Sequence, residues 1–313
     1  MFDKRTRISF LAICLCLTAF VRAGPYSPPA GQPGSTAIHK NDARFVGWAT
    51  GVTVERGYND ISNPDLGYAY YGDEDNALGK AEGDFYSVVS LGDGGAATLT
   101  FDYPITNGNG YDFAVFENGF KSGSNYFLEL AFVEVSSDGN NFFRFDSVSL
   151  TPTNVQVGGF GTLDATNLNN LAGKYSVGYG TPFDLEELKD VSPLLDVNSV
   201  THVRIIDVVG FVEPADFYGD GIVDFLDYSI FAAAYMSGSD DENWNQNCDI
   251  SEPVDNVIDM LDFAQFGAKW RNENAYAGFD SQGHQINDPW PTAFDVGTGG
   301  FDLDAVGVIN SLK

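Results

Sequence analysis

Four aspartates, Asp216, Asp220, Asp224 and Asp227, occupy the first, fifth, ninth and twelfth places of one short stretch. Carboxylates at that spacing on a curling backbone offer oxygen ligands to a hard cation, and calcium takes six to eight of them. Gly221 stands sixth, where the backbone turns most sharply, and the Ile222 carbonyl is the expected seventh-place ligand. Tyr218, third, offers neither carboxylate nor amide, so water would fill its place and a weaker site is expected. A second stretch repeats the order with Asp249, Ser251, Asp255, the Val257 carbonyl, Asp259 (through water) and Asp262. It is two residues longer, with Glu252-Pro253 read as the extra pair, and Asn256 stands in the glycine's place because Asn tolerates the left-handed region. Each loop runs into an apolar segment that opens Leu-Asp followed by Tyr or Phe, an internal repeat offset by 33 residues between loop starts. Val223 is expected to pair with its counterpart in the second loop through a short β-bridge.

Residues 215–270, on these loops, resemble the type I dockerin repeats, an EF-hand-like module, in the variant form of environmental bacteria such as planctomycetes. The resemblance implies two bound Ca2+ ions, held by the residues just named, and docking onto a cohesin partner. Small hydroxylated residues often make the partner contacts at places ten and eleven of such loops; here these are Phe225-Leu226 and Met260-Leu261. The module also lies within the chain. Both departures favour docking of its apolar surface on the chain's own body.

The elements that must carry the loops read as β-rich. Short apolar runs at Ala97–Phe101, Tyr111–Phe116, Tyr126–Val135, Phe142–Phe145 and Val203–Val209 alternate with turn residues, the pattern of strands. Ser136 to Asn141 reads as a hairpin turn, and Asp184 to Leu188 as a short helix with capping-box spacing. Helical patterns follow the two loops at Leu226–Met236 and Leu261–Trp270, and a strand returns at Phe301–Ile309. The expected fold class is mainly β: an antiparallel sandwich or jelly roll over 45–214 plus 271–313, with a small α-helical module inserted at 215–270. Residues 24–44 read as a Pro/Gly-rich linker. Around the module, Asp112–Gly119, Ile286–Trp290 and Gly299–Asp304 resemble poorly characterised bacterial cell-surface proteins, which implies a jelly-roll-like domain without a settled activity.

Lys4, Arg5 and Arg7 followed by the apolar run Ile8–Phe20 read as a secretory signal peptide over residues 1–23. Loss of Lys4, Arg5, Arg7, Arg22 and Asp3 with it takes the net charge from −28 to −31. Such a field repels nucleic acid and anionic lipid and attracts cations. The expected location is secreted or cell-surface, with no membrane span in the mature chain. Cys14 and Cys16 leave with the leader, so Cys248 remains alone and is expected to pack as a small apolar residue.

Carboxylates in or beside apolar strands (Glu117, Glu129, Glu134, Asp207, Asp304) are the candidates for acid–base chemistry, which a glycosidase would perform with two of them across a cleft. Glu129 and Glu134 read as opposite faces of one strand. Asp207 reads first as a partner for an Arg or for backbone amides. No nucleophile elbow, zinc helix or phosphate loop is present in the sequence, so no catalytic residue is assigned. Tyr68, Tyr70, Tyr71 and Trp290 are candidate sugar platforms. The reading is a non-catalytic calcium-binding surface protein that binds a glycan or a protein partner. A carbohydrate-active enzyme and a structural adhesin or matrix component are the alternatives; paired carboxylates in a pocket would favour the former.

Overall fold

The computed structural model describes residues 23–271, 276–292 and 297–312; the expected leader at 1–23 lies, but for its last residue, outside them. The protein is mainly β, with 27% of it in strands and 13% helical, and its antiparallel sheets curl into a half-barrel. Three short strands come first: β1 (Ile38–His39), β2 (Gly47–Trp48) and β3 (Gly51–Glu55). β4 (Val89–Ser90), the long β5 (Ala96–Ile105) and β6 (Phe113–Glu117) follow. A hairpin of β7 (Phe120–Ser122) and β8 (Asn125–Phe127) precedes β9 (Ala131–Ser136) and β10 (Phe143–Arg144). β11 (Val148–Ser149) pairs with β12 (Leu168–Asn169), and β13 (Tyr179–Phe183) and β14 (Val200–Asp207) complete this part. Helices α1 (Phe225–Ala234) and α2 (Met260–Ala268) flank β15 (Ser237–Gly238) and β16 (Val257–Ile258), and β17 (Asp302–Val308) comes last.

One large sheet has the order β1-β13-β6-β17-β2, with β4 also on β17; the other runs β10-β9-β14-β5-β3. Every residue of β6, β9 and β17 is buried, the acidic Glu117, Glu134, Asp302 and Asp304 included. Leu99, Val133, Val203 and Ile205 of one sheet share a single apolar core with Phe113, Val115, Leu303 and Val306 of the other. β17, on the far side of residues 215–270 in sequence, sits between β6 and β2.

Local details depart from the sequence reading in two places. The run Tyr126–Val135 is two strands, because Leu128–Leu130 leaves the sheet and the Leu130 N–H donates to Asp288 (2.9 Å); Glu129 and Glu134 therefore do not share a strand. Asp184 caps only a 3-10 turn, Leu185–Leu188, accepting from the Glu186 N–H, while Glu187 takes the Asn170 amide. The hairpin turn at Ser136–Asn141 joins β9 to β10, with Val135 opposite Phe143 and Asp138 accepting from the Asn140 and Asn141 amides at 2.8 Å each.

Candidate functional site

The two loops have matching hydrogen-bond frames. In the first, Asp216 is buried; its Oδ1 accepts from Gly219 N (2.7 Å) and its Oδ2 from Gly221 N (2.6 Å). Asp220 accepts from Ile222 N at 3.2 Å. Asp224 caps α1 through Leu226 N, and Asp227 reaches back to Asp224 N and Tyr218 N at 2.8 Å each, a full capping box. In the second, Asp249 accepts from Asn256 N, Asp255 from Val257 N, and Asp259 from Leu261 N, while Asp262 accepts from Ile250, Ser251 and Asp259 N–H groups at 2.8–2.9 Å. Gly221 (φ +87°) and Asn256 (φ +64°) both turn left-handed, so Asn does the glycine's work at this place.

The β-bridge expected between Val223 and its counterpart is not formed. Each eighth-place residue instead bonds beyond the opposite helix: Val223 C=O accepts from Arg271 N, and Ile258 C=O from Met236 N, both at 2.8 Å. Met236 and Arg271 share φ +65°, so the module has a pseudo-twofold arrangement. Phe231 and Phe266, its equivalent places, stack at 5.5 Å and 7°. Cys248 is buried beside Phe231 and Ile258, and burial pushes its thiol up to about 12. The module sits on the β body: Gln285 Nε2 donates to Asp216 Oδ2 (2.8 Å), Gln285 Oε1 accepts from Glu213 N, and Lys269 Nζ pairs with Glu213 at 3.2 Å.

The donors are all oxygens, the set calcium prefers. Asp249 Oδ1 and Ser251 Oγ, places one and three of the second loop, are buried with no hydrogen-bond partner. Buried unpaired oxygens are costly unless something fills their need. Both oxygens of Asp216 are engaged by loop N–H groups and, at Oδ2, also by Gln285. Among the described residues no three or more His, Cys, Asp or Glu side chains are drawn together as a metal cluster, the carboxylates of both loops being turned onto their own backbone.

A second site opens beside the β7–β8 hairpin: a pocket of about 630 Å³ walled by Tyr71, Phe85, Tyr86, Phe120, Phe127 and Phe160, with Asn118, Lys121, Glu129, Thr292, Thr298 and Asp302 as polar lining. Pairing of β17 with β4 sets Asp302 opposite Ser90, whose Oγ donates to it; Asn118 Nδ2 donates to its other oxygen at 2.8 Å. Burial raises the Asp302 carboxyl to about 6 against these two bonds. Glu129 is half-buried and, among the described residues, has no hydrogen bond or ion pair. Burial, then the nearby carboxylates of Asp302 and Glu117, hold its carboxyl well above the usual range. Glu117 lies behind, opposite Leu303, with Oε2 on Gly119 N and Oε1 buried without a partner.

The other sequence candidates have structural partners. Glu134 is held between Arg144 and Arg204. Asp207 accepts from Gly94 N (2.9 Å) and Phe301 N (2.7 Å), the backbone-amide partnership expected of it, and so ties β14 to the entrance of β17. Asp304 accepts from Glu82 and Gly83 N–H groups. Tyr68 stacks on Tyr58 at 4.6 Å, and Trp290 donates to Asp93 and packs edge-on to Phe211. Of the four aromatic candidates, Tyr71 lines the pocket. Sequence reasoning missed Phe85, Tyr86, Phe120, Phe127, Phe160 and Asp302; the exposed Phe85-Tyr86 pair in a turn was the one signal for them.

No protein-family model, curated protein or solved structure matches the chain. Among the described residues no helix is long and apolar enough to cross a membrane.

Proposed function

We propose that this is a secreted or cell-surface, non-catalytic protein that binds a glycan in the aromatic pocket of a β-sandwich, with an inserted dockerin-like module held in shape by calcium. The observation that carries the reading is the pocket: six aromatic walls with a few polar groups, in the volume range of ligand sites. Aromatic rings offer flat apolar surface to a pyranose, while Asn118 and the carboxylates can take its hydroxyls. For calcium, the support is the pair of orphaned oxygens in the second loop. Asp249, Ser251, Asp255, the Val257 carbonyl, Asp259 and Asp262 would hold one ion there. Asp216, Asp220, the Ile222 carbonyl, Asp224 and Asp227 would hold another less tightly, since Tyr218 contributes no side-chain carboxylate or amide and Asp216 is already engaged. Phe225, Leu226, Met260 and Leu261 are exposed, so the apolar surface expected to dock on the β body is left open to a cohesin-type partner.

Glu129 and Asp302 facing one pocket favour a second reading, a carbohydrate-active enzyme using them as an acid–base pair. Incubation of the protein on a polysaccharide array, with calcium and with chelator, separates the two. Retention without shortening of the bound chains supports the binder, and shortening that Glu129→Gln abolishes supports the enzyme. Retention on no glycan overturns both.

A further inference from the structure

Among the described residues, Glu129 is a pocket carboxyl with no hydrogen bond or ion pair. A half-buried carboxyl is normally offset by an Arg, a Lys or backbone amides, as Glu134 is by two arginines and Asp304 by two amides. Around Glu129 the charged groups that act are further carboxylates: Asp302, Glu117, Asp288 and Asp207. Arg56, the nearest cation to Asp302 from inside, spends its guanidinium on the carbonyls of Tyr71, Gly72 and Ser90. Lys121 lines the pocket from the exposed β7 strand. Aromatic walls add to the asymmetry, since ring faces attract cations and not anions.

We propose, building on the glycan reading, that the pocket selects a sugar carrying a protonated amine: the 2-amino group of a de-N-acetylated amino sugar, with the Glu129 carboxylate as its counter-ion and the aromatic walls around the ring. The ammonium supplies Glu129 with the partner that Lys121, on the same pocket wall, does not give it. An N-acetylated sugar would leave Glu129 unneutralised, and an acidic sugar would face several carboxylates at once.

Calorimetric titration of the calcium-loaded protein with chitosan tetramer, chitin tetramer and cellotetraose tests this. The expected result is binding of the deacetylated tetramer at least tenfold tighter than the other two. Glu129→Gln, which keeps the side chain's shape, should reduce that preference to under threefold. Tyr86→Ala, at a wall residue 75% exposed and so dispensable for folding, should weaken all three. Equal affinities for the three sugars would leave the glycan reading standing and overturn the charge selection. A preference that survives Glu129→Gln would trace it to the general negative field and overturn the role of Glu129. If no tetramer binds, the glycan reading falls, and benzyltrimethylammonium then decides the rest. Its binding, lost in Glu129→Gln, keeps the cation site without the sugar; no binding removes that too.

Discussion

Asp216 and Asp249 hold the same place in two loops yet are bonded differently, and this gives a pair of opposed predictions. Asp216 accepts four hydrogen bonds, so Asp216→Ala orphans buried donors and should cost about 2–4 kcal/mol even in chelator. Asp249→Ala removes an oxygen that already lacks a partner; it should cost less in chelator but abolish most of the stabilisation that added calcium gives. Urea melts of both variants with and without calcium check this, and equal losses in chelator would contradict it. Glu134→Gln leaves Arg144 and Arg204 facing each other, each stacked on a phenylalanine (Phe132 at 4.1 Å, Phe142 at 3.9 Å). With both arginines partly exposed, the expected loss is about 1–3 kcal/mol, read as a lower urea midpoint at unchanged slope. The paired loops were legible in the sequence because their carboxylates and left-handed turn residue recur in the same order. The pocket was not, because Tyr71, Phe127 and Asp302 are far apart in the chain and meet only through strand pairing.

At the level of elements, periodicity found the two helices to within two residues at each end, and their caps follow from Asp224 and Asp259. It failed at Leu128–Leu130, where an apolar run continues but the backbone bonds elsewhere: the Leu130 amide goes to Asp288, more than 150 residues away, a partner no local pattern announces. The eighth-place bridge was misread for a related reason, since the sequence shows that two loops match but not which strand each meets. The reciprocal bonds, Val223 with Arg271 and Ile258 with Met236, make each loop depend on the end of the other's helix. The stacked Phe231–Phe266 pair at the centre of the module is therefore shared by both loops. Phe231→Ala should cost about 3–5 kcal/mol and weaken calcium binding at both sites together; a calcium titration in which only one site weakens would contradict it.

For the molecule as a whole, burial holds several carboxyls above their ordinary range: Asp93, Asp302 and Asp304 at about 6, with Glu117, Asp207 and Asp288 also raised. Between the unfolded value near 4 and the folded value near 6, the folded chain keeps protons that the unfolded chain releases. Stability therefore falls as pH rises through this window and levels off above the folded values. In metal-free buffer the melting temperature should rise on going from pH 7.5 to 5, and Asp302→Asn should flatten that slope; a steady fall on acidification would refute the sign. Two of these carboxyls tie strands of the large sheets together, Asp207 by its bonds to Gly94 and Phe301 and Asp302 by its bond to Ser90, so the acidity that the sequence shows as a bulk charge is partly structural. The seat of β17 between β6 and β2 also bears on how the protein is made. Until residue 308 has left the ribosome, the sheet lacks β17: β2 and β4 have no strand partner in it and β6 has only β13. A nascent chain halted at residue 300 should stay protease-sensitive throughout its β part.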